Sequence, residues 1–96
     1  MLPELNPLLH SQLRLAIMST AISSESTTFN ELKDITEATS GNISVQLKKL
    51  QQAGYLEIEK GYKDNYPHTS VKITEKGIVA FEAYVQALSN YLPKKP

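Results

Sequence analysis

Residues 39–60 read TSGNISVQLKKLQQAGYLEIEK. Two periodicities meet in this stretch. Ile43, Leu47 and Leu50 recur at i, i+4 and i+7, which places them on one stripe of a helix. Thr39 or Ser40 is a good cap for its start, Ala53 extends the stripe, and Gly54 suits a left-handed stop. Beyond that glycine, Leu56 and Ile58 alternate with Glu57 and Glu59, the period of a strand running from Tyr55 to Lys60. The stretch therefore predicts an amphipathic helix that hands over to a half-buried strand at a single glycine.

Working outward toward the N-terminus, Thr28-Phe29-Asn30-Glu31 has the form of a capping box. Phe29, Leu32 and Ile35 then face one way, so a short second helix is expected, finished by Glu37. About four residues, Thr36 to Thr39, separate it from the helix above, which is helix-turn-helix spacing. Residues 23–27 (SSEST) read as a polar loop. Before them, Leu13, Ile17 and Ala21 recur at helical spacing, joined by Leu9, Ala16 and Met18. This first helix is capped by Asn6 or Ser11 and ends near Ile22.

Toward the C-terminus, Gly61 to His68 is rich in turn residues, and Thr69 to Ile73 reads as a second strand with Val71 and Ile73 on one face. The two strands predict a hairpin with a loop of about seven or eight residues. Thr74 caps a last helix, with Glu75 at its favourable dipole end, running to about Leu92, where Pro93 stops it. The tail Pro93-Lys94-Lys95-Pro96 is expected to fray. Helix, helix, helix, strand, strand, helix is an α+β winged helix-turn-helix, and 96 residues make one domain of it, from 1 to 96.

Composition narrows the function. Hydrophobic residues are 41% and charged residues 21%, so the chain can build a core rather than stay disordered. It has no cysteine, which excludes disulfides, thiol catalysis and Cys-ligated metal sites. His10 and His68 are the only histidines, so no transition-metal cage and no cofactor are expected. Carboxylates are scattered, and no Ser–His–acid set or Gly-rich phosphate loop is present, so no catalysis is expected. No apolar run reaches the roughly 20 residues of a membrane span, and the N-terminus lacks the basic start of a secretion signal, so a cytoplasmic location is expected.

Charge is balanced, ten basic groups against ten acidic, but unevenly placed. Residues 1–39 hold two basic and five acidic groups, net −3, whereas residues 40–76 hold six and four, net +2. The positive section is the one that contains the third helix and the hairpin.

The run GNISVQLKKLQQAGYLEIEKGY, then Pro67 and Thr69, then KITEKG, resembles the small one-domain winged-helix transcriptional regulators related to the MarR and ArsR repressors. The resemblance extends from His10, Ser11 and Arg14 in the first helix to FEAYVQAL in the last. It implies a homodimeric regulator of transcription that places the third helix in a DNA major groove and uses the hairpin as a wing. Members of that group commonly carry Arg or Lys at the wing tip. Here the tip has Lys63 beside Asp64, which implies a weak wing contact.

With Ile43, Leu47 and Leu50 inward, Asn42, Val45, Gln46 and Lys49 share the outward face of the third helix, flanked by Ser44 and Lys48. Asn and Gln can bond adenine with two hydrogen bonds, Val45 can pack on a thymine methyl, and the lysines suit phosphates. Ser40 and Gly41 can offer backbone N–H groups to a phosphate. The plainer alternative is a solvated face with two lysines for solubility. On the wing, Lys60, Lys63, Tyr66 and His68 are candidates for DNA contact, against the alternative of an ordinary hairpin loop. Tyr62 is expected to pack against the domain. Arg14 is read either as a phosphate or dimer contact, or as paired with Glu31, Asp34 or Glu37. His10 is expected to be exposed or at an interface.

The last helix is apolar over most of its circumference. Ile78, Phe81, Val85, Leu88 and Leu92 form one stripe, and Ala80, Ala83, Tyr84, Ala87 and Tyr91 another. One chain can cover one side, so the other points to a second copy. The expected dimer interface is Leu5, Leu9, Tyr84, Ala87, Leu88, Tyr91 and Leu92. An effector ligand, the operator and the regulated genes are not readable from these residues. A second reading of the whole, favoured by zero net charge and the arginine-poor wing, is a winged helix that docks a protein.

Overall fold

The structure, a computed structural model, describes residues 1–93; of the tail expected to fray, Pro93 to Pro96, the last three residues lie outside them. Its elements in chain order are α1 (Gln12–Ile22), β1 (Thr27–Thr28), α2 (Phe29–Thr36), α3 (Ser40–Gln52), β2 (Leu56–Lys63), β3 (Tyr66–Ile73) and α4 (Glu75–Ser89). This is the expected winged helix, with one strand more than the sequence suggested. Hydroxyl side chains start every helix: Ser11, Thr28, Thr39 and Thr74 each accept from the backbone N–H three residues on.

The core lies where the three N-terminal helices meet the base of the hairpin. Ile17, Met18 and Ala21 of α1, Leu32 of α2, and Ile43, Leu47 and Leu50 of α3 are buried together with Leu56, Val71, Leu9 and Tyr84. The predicted inward stripe of α3 is therefore its buried stripe. The second helix differs. Phe29 is half-buried and Leu32 buried, but Ile35 is 60% exposed, because α2 is short and ends one residue later at Thr36. Glu37 follows at φ 59 and makes the tight turn into α3.

The polar stretch expected to be a loop contributes β1. Thr27 pairs with Val71 and Thr28 with Ser70, giving a three-stranded antiparallel sheet of order β1-β3-β2. Thr27 is buried, and its hydroxyl donates to a carboxylate oxygen of Glu31 at 3.2 Å. So only half of the capping box forms: Thr28 Oγ1 accepts from Glu31 N, but the Glu31 side chain turns to Thr27.

The wing is longer and its turn tighter than expected. β2 and β3 stay paired from Leu56↔Ile73 to Lys63↔Tyr66, leaving only Asp64 and Asn65 between them. Both have positive φ, 52 and 67, the signature of a two-residue type I′ turn. The predicted loop of seven or eight residues is thus a two-residue turn, and Gly61 to Lys63 and Tyr66 to His68 are strand.

α4 ends at Ser89 rather than near Leu92. Its first turn is set against the end of α3. Thr74 N donates to Tyr55 O, Thr74 Oγ1 donates to Gly54 O, and Gly77 is buried.

Candidate nucleic-acid interface

One side of α3, with Ser44, Lys48 and Gln51, adjoins one face of the hairpin. Register explains why. Residues that pair across antiparallel strands share a sheet face, so Leu56, Ile58, Lys60 and Tyr62 lie with Ile73, Val71, Thr69 and Pro67. At the base that face closes the core; further out it carries Lys60 and Tyr62 into solvent. A groove runs between the two elements, lined by Ser44, Lys48 and Gln51 of α3 and by Ile58, Lys60 and Thr69 of the wing.

Most of the expected DNA-facing residues of α3 are exposed: Ser40, Asn42, Ser44, Val45, Lys48 and Lys49. Val45 is 51% exposed, high for an aliphatic side chain in the middle of a helix. A β-carbon on Gly41 would meet nothing within 4 Å, so the start of α3 is open.

Gln46 departs from the expectation of a free side chain. It is half-buried against α1, and both ends of its amide are engaged. Oε1 accepts from Arg14 Nη1 at 2.7 Å, and Nε2 donates to Asn42 Oδ1 at 2.8 Å. Arg14 is correspondingly not paired with Glu31, Asp34 or Glu37. Its guanidinium bridges the Leu8 carbonyl and Gln46. Sequence spacing alone does not reveal this link, because it joins positions 32 residues apart.

On the wing, Lys63 and Tyr66 face each other next to the turn, on the sheet face opposite Lys60 and Tyr62. Both are exposed, Tyr66 by 75%. His68 is half-buried and pairs with Gly61, farther from the tip. Tyr62, expected to pack on the domain, is 80% exposed and joins the candidate set. The expectation assumed a collapsed loop; an extended ladder instead carries Tyr62 away from the core. Glu57 and Glu59 occupy the opposite face of β2 from Lys60.

The set expected at a dimer interface divides. Leu9 and Tyr84 belong to the chain's own core, at 0% and 4% exposure. The Tyr84 hydroxyl and His10 Nδ1 share a hydrogen bond of 2.9 Å, and His10 itself is exposed. Leu5, Ala87 and Leu88 are half-buried, while Tyr91 and Leu92 are exposed. Val79 and Val85 are also exposed, at 62% and 49%, although only Val85 was on an expected stripe. The Tyr91 hydroxyl donates to the Pro3 carbonyl and so ties the N-terminal segment to the end of α4.

Among the described residues no three His, Asp or Glu side chains gather as metal ligands, and no helix is long and apolar enough to cross a membrane.

Comparison with known proteins agrees with the geometry. The family model described as "Winged helix DNA-binding domain" matches residues 13–92. An uncharacterized protein of Methanocaldococcus jannaschii is 37% identical over 76 residues, covering 79% of this chain and 83% of its own. Among solved structures, a transcriptional regulator homologue from Pyrococcus horikoshii superposes with a TM-score of 0.81 at 24% identity, over 88% of this chain and 83% of that one. A mutant of MarR from E. coli, solved in complex with operator DNA, gives 0.74 at 21% identity over 88% of this chain and 60% of its own.

Proposed function

The chain belongs to the winged helix DNA-binding domain family, and from that premise we propose that it is a homodimeric, sequence-specific regulator of transcription, a repressor that reads a pseudo-palindromic operator. Each protomer inserts α3 into a major groove, with the two grooves about 34 Å apart along the duplex. The observation that carries this reading is the exposed outer face of α3. It offers Asn42 and Val45 for base edges and Lys48 and Lys49 for phosphates, beside a wing bearing Lys60, Lys63, Tyr62 and Tyr66.

Dimerisation is supported by apolar surface that one chain leaves uncovered. Val85 and Leu92, on the stripe that Leu88 shares, are exposed, and so is Leu2 in the segment that Tyr91 tethers. Like faces of two copies can cover one another about a two-fold axis. Two helices in successive grooves also need two protomers.

A mobility-shift titration on genomic fragments at low salt tests the proposal. Discrete shifted species on a subset of fragments, with sedimentation at the mass of a dimer, are expected. Failure to shift any fragment would contradict it. That outcome would favour the protein-docking reading, which draws on the zero net charge and on Glu57, Glu59 and Asp64 in the wing.

A further inference from the structure

We infer that α3 reads the 5-methyl group of a pyrimidine through Val45, so that this protein distinguishes thymine from uracil, and 5-methylcytosine from cytosine, on that methyl alone. The inference rests on the proposed role of α3 and names the chemical group that its centre recognises.

Position comes first. Ile43, Leu47 and Leu50 are the buried stripe of α3. At about 100° per residue, each of the three lies about 140–160° around the helix from Val45. Val45 therefore points almost directly away from the core, and it is 51% exposed. Lys49 lies about 40° to one side of it and Lys48 about 60° to the other, and both are exposed. A helix seated in a major groove has phosphates along both walls and base edges at the floor. The flanking ammonium groups suit the walls, which leaves Val45 over the floor. Gln46 does not compete for that place: it lies about 100° from Val45, half-buried beside Arg14.

What Val45 can recognise follows from what it lacks. Its isopropyl group neither donates nor accepts a hydrogen bond. A base-edge oxygen, nitrogen or amine covered by it would lose water and gain no partner. The four base pairs offer one apolar group along the major-groove edge, the 5-methyl of thymine. 5-Methylcytosine carries the same group at the same ring position.

Gly41 shapes the contact. It precedes Val45 by four residues on the same face, and helical side chains lean toward the N-terminus. A β-carbon at position 41 would meet nothing within 4 Å, and Gly41 does not have a positive φ. Neither space nor backbone geometry in the fold calls for glycine there, and glycine is a poor helix former. Its effect is to leave a notch beside Val45, open to the duplex, in which a methyl group can sit.

Selection of bound duplexes from a random pool, followed by sequencing, finds the base pair whose preference relaxes in Val45→Ala. With the unaltered protein that pair should be thymine–adenine. Replacing its thymine by uracil in both half-sites removes one methyl from each and should weaken binding about tenfold. Replacing the pair by cytosine–guanine should also weaken binding, and 5-methylation of that cytosine should recover about tenfold. In Val45→Ala both differences should shrink to within about threefold. Gly41→Ala should keep the melting temperature of the parent, since its β-carbon has room, and should also shrink the thymine–uracil difference, because the notch is filled. No pair relaxed by Val45→Ala, a relaxed pair of guanine and cytosine, uracil bound as tightly as thymine, no gain from 5-methylation, or the full thymine–uracil difference persisting in either variant each overturns the inference while DNA binding stands. A pool with no enriched sequence overturns the proposed function beneath it.

Discussion

Gly77 of α4 sits so close to the Tyr55 carbonyl that a β-carbon at position 77 would lie 2.3 Å from that oxygen and 2.9 Å from Ile73 Cγ1. This approach lets Thr74 bond both Gly54 and Tyr55, and so fixes the angle at which α4 leaves the sheet. Gly77→Ala must move backbone, not the tip of a flexible side chain. A loss of about 1–3 kcal/mol in stability is expected, outweighing the gain in helix propensity. Urea unfolding of the variant measures it; a variant as stable as the parent would mean that the junction yields.

Tyr84→Phe should cost about 0.5–1.5 kcal/mol, because it removes the hydrogen bond to His10 while keeping the ring in the core. Thermal melts compare the two proteins. An unchanged melting temperature would show that this link between the N-terminal segment and α4 contributes nothing.

Tyr62→Ala is expected to leave stability within about 0.5 kcal/mol, since the side chain is 80% exposed. Its effect should appear in DNA affinity, as a loss of a few-fold. Unaltered affinity would remove Tyr62 from the interface.

Lys49→Ala should weaken operator and random DNA alike and make the salt dependence shallower by about 1 per protomer. For the unaltered dimer, Lys48, Lys49, Lys60 and Lys63 of each protomer set the limit. Eight contacted phosphates correspond to a slope of log K on log[salt] no steeper than about −7. A slope that demands ten or more phosphates would contradict this account of the charges.

Much of the fold was legible because local chemistry and tertiary packing agree. Thr28, Thr39 and Thr74 start the helices that follow them, and Ile43, Leu47 and Leu50 face inward as their spacing dictates. What was not legible depends on partners distant in sequence. Thr27 is a strand residue only because Val71 lies opposite, and two residues carry no periodicity of their own. The outer part of the wing, residues 61–68, reads as a loop in the sequence because Gly61, Asp64, Asn65 and Pro67 are all turn formers. Only Asp64 and Asn65 serve that purpose, while Pro67 is accommodated opposite Tyr62.

The candidate site follows the same division. The stripe opposite Ile43, Leu47 and Leu50 located the exposed face of α3, since one helical period fixes both faces. The same period could not separate Gln46 from Lys49. Gln46 lies toward α1, where Arg14 reaches it, and Lys49 lies away. Nor could it tell which apolar residues of α4 its own chain covers: Tyr84 turns inward, and Val79 does not.

The central claim is that the outer face of α3 enters a DNA major groove. Amide chemical-shift mapping of the labelled protein with a selected duplex at low salt tests it most directly. The account predicts the largest changes from Ser40 to Lys49, with smaller ones from Lys60 to Tyr66. Changes confined to other surfaces, with the α3 amides unmoved by bound duplex, would contradict it.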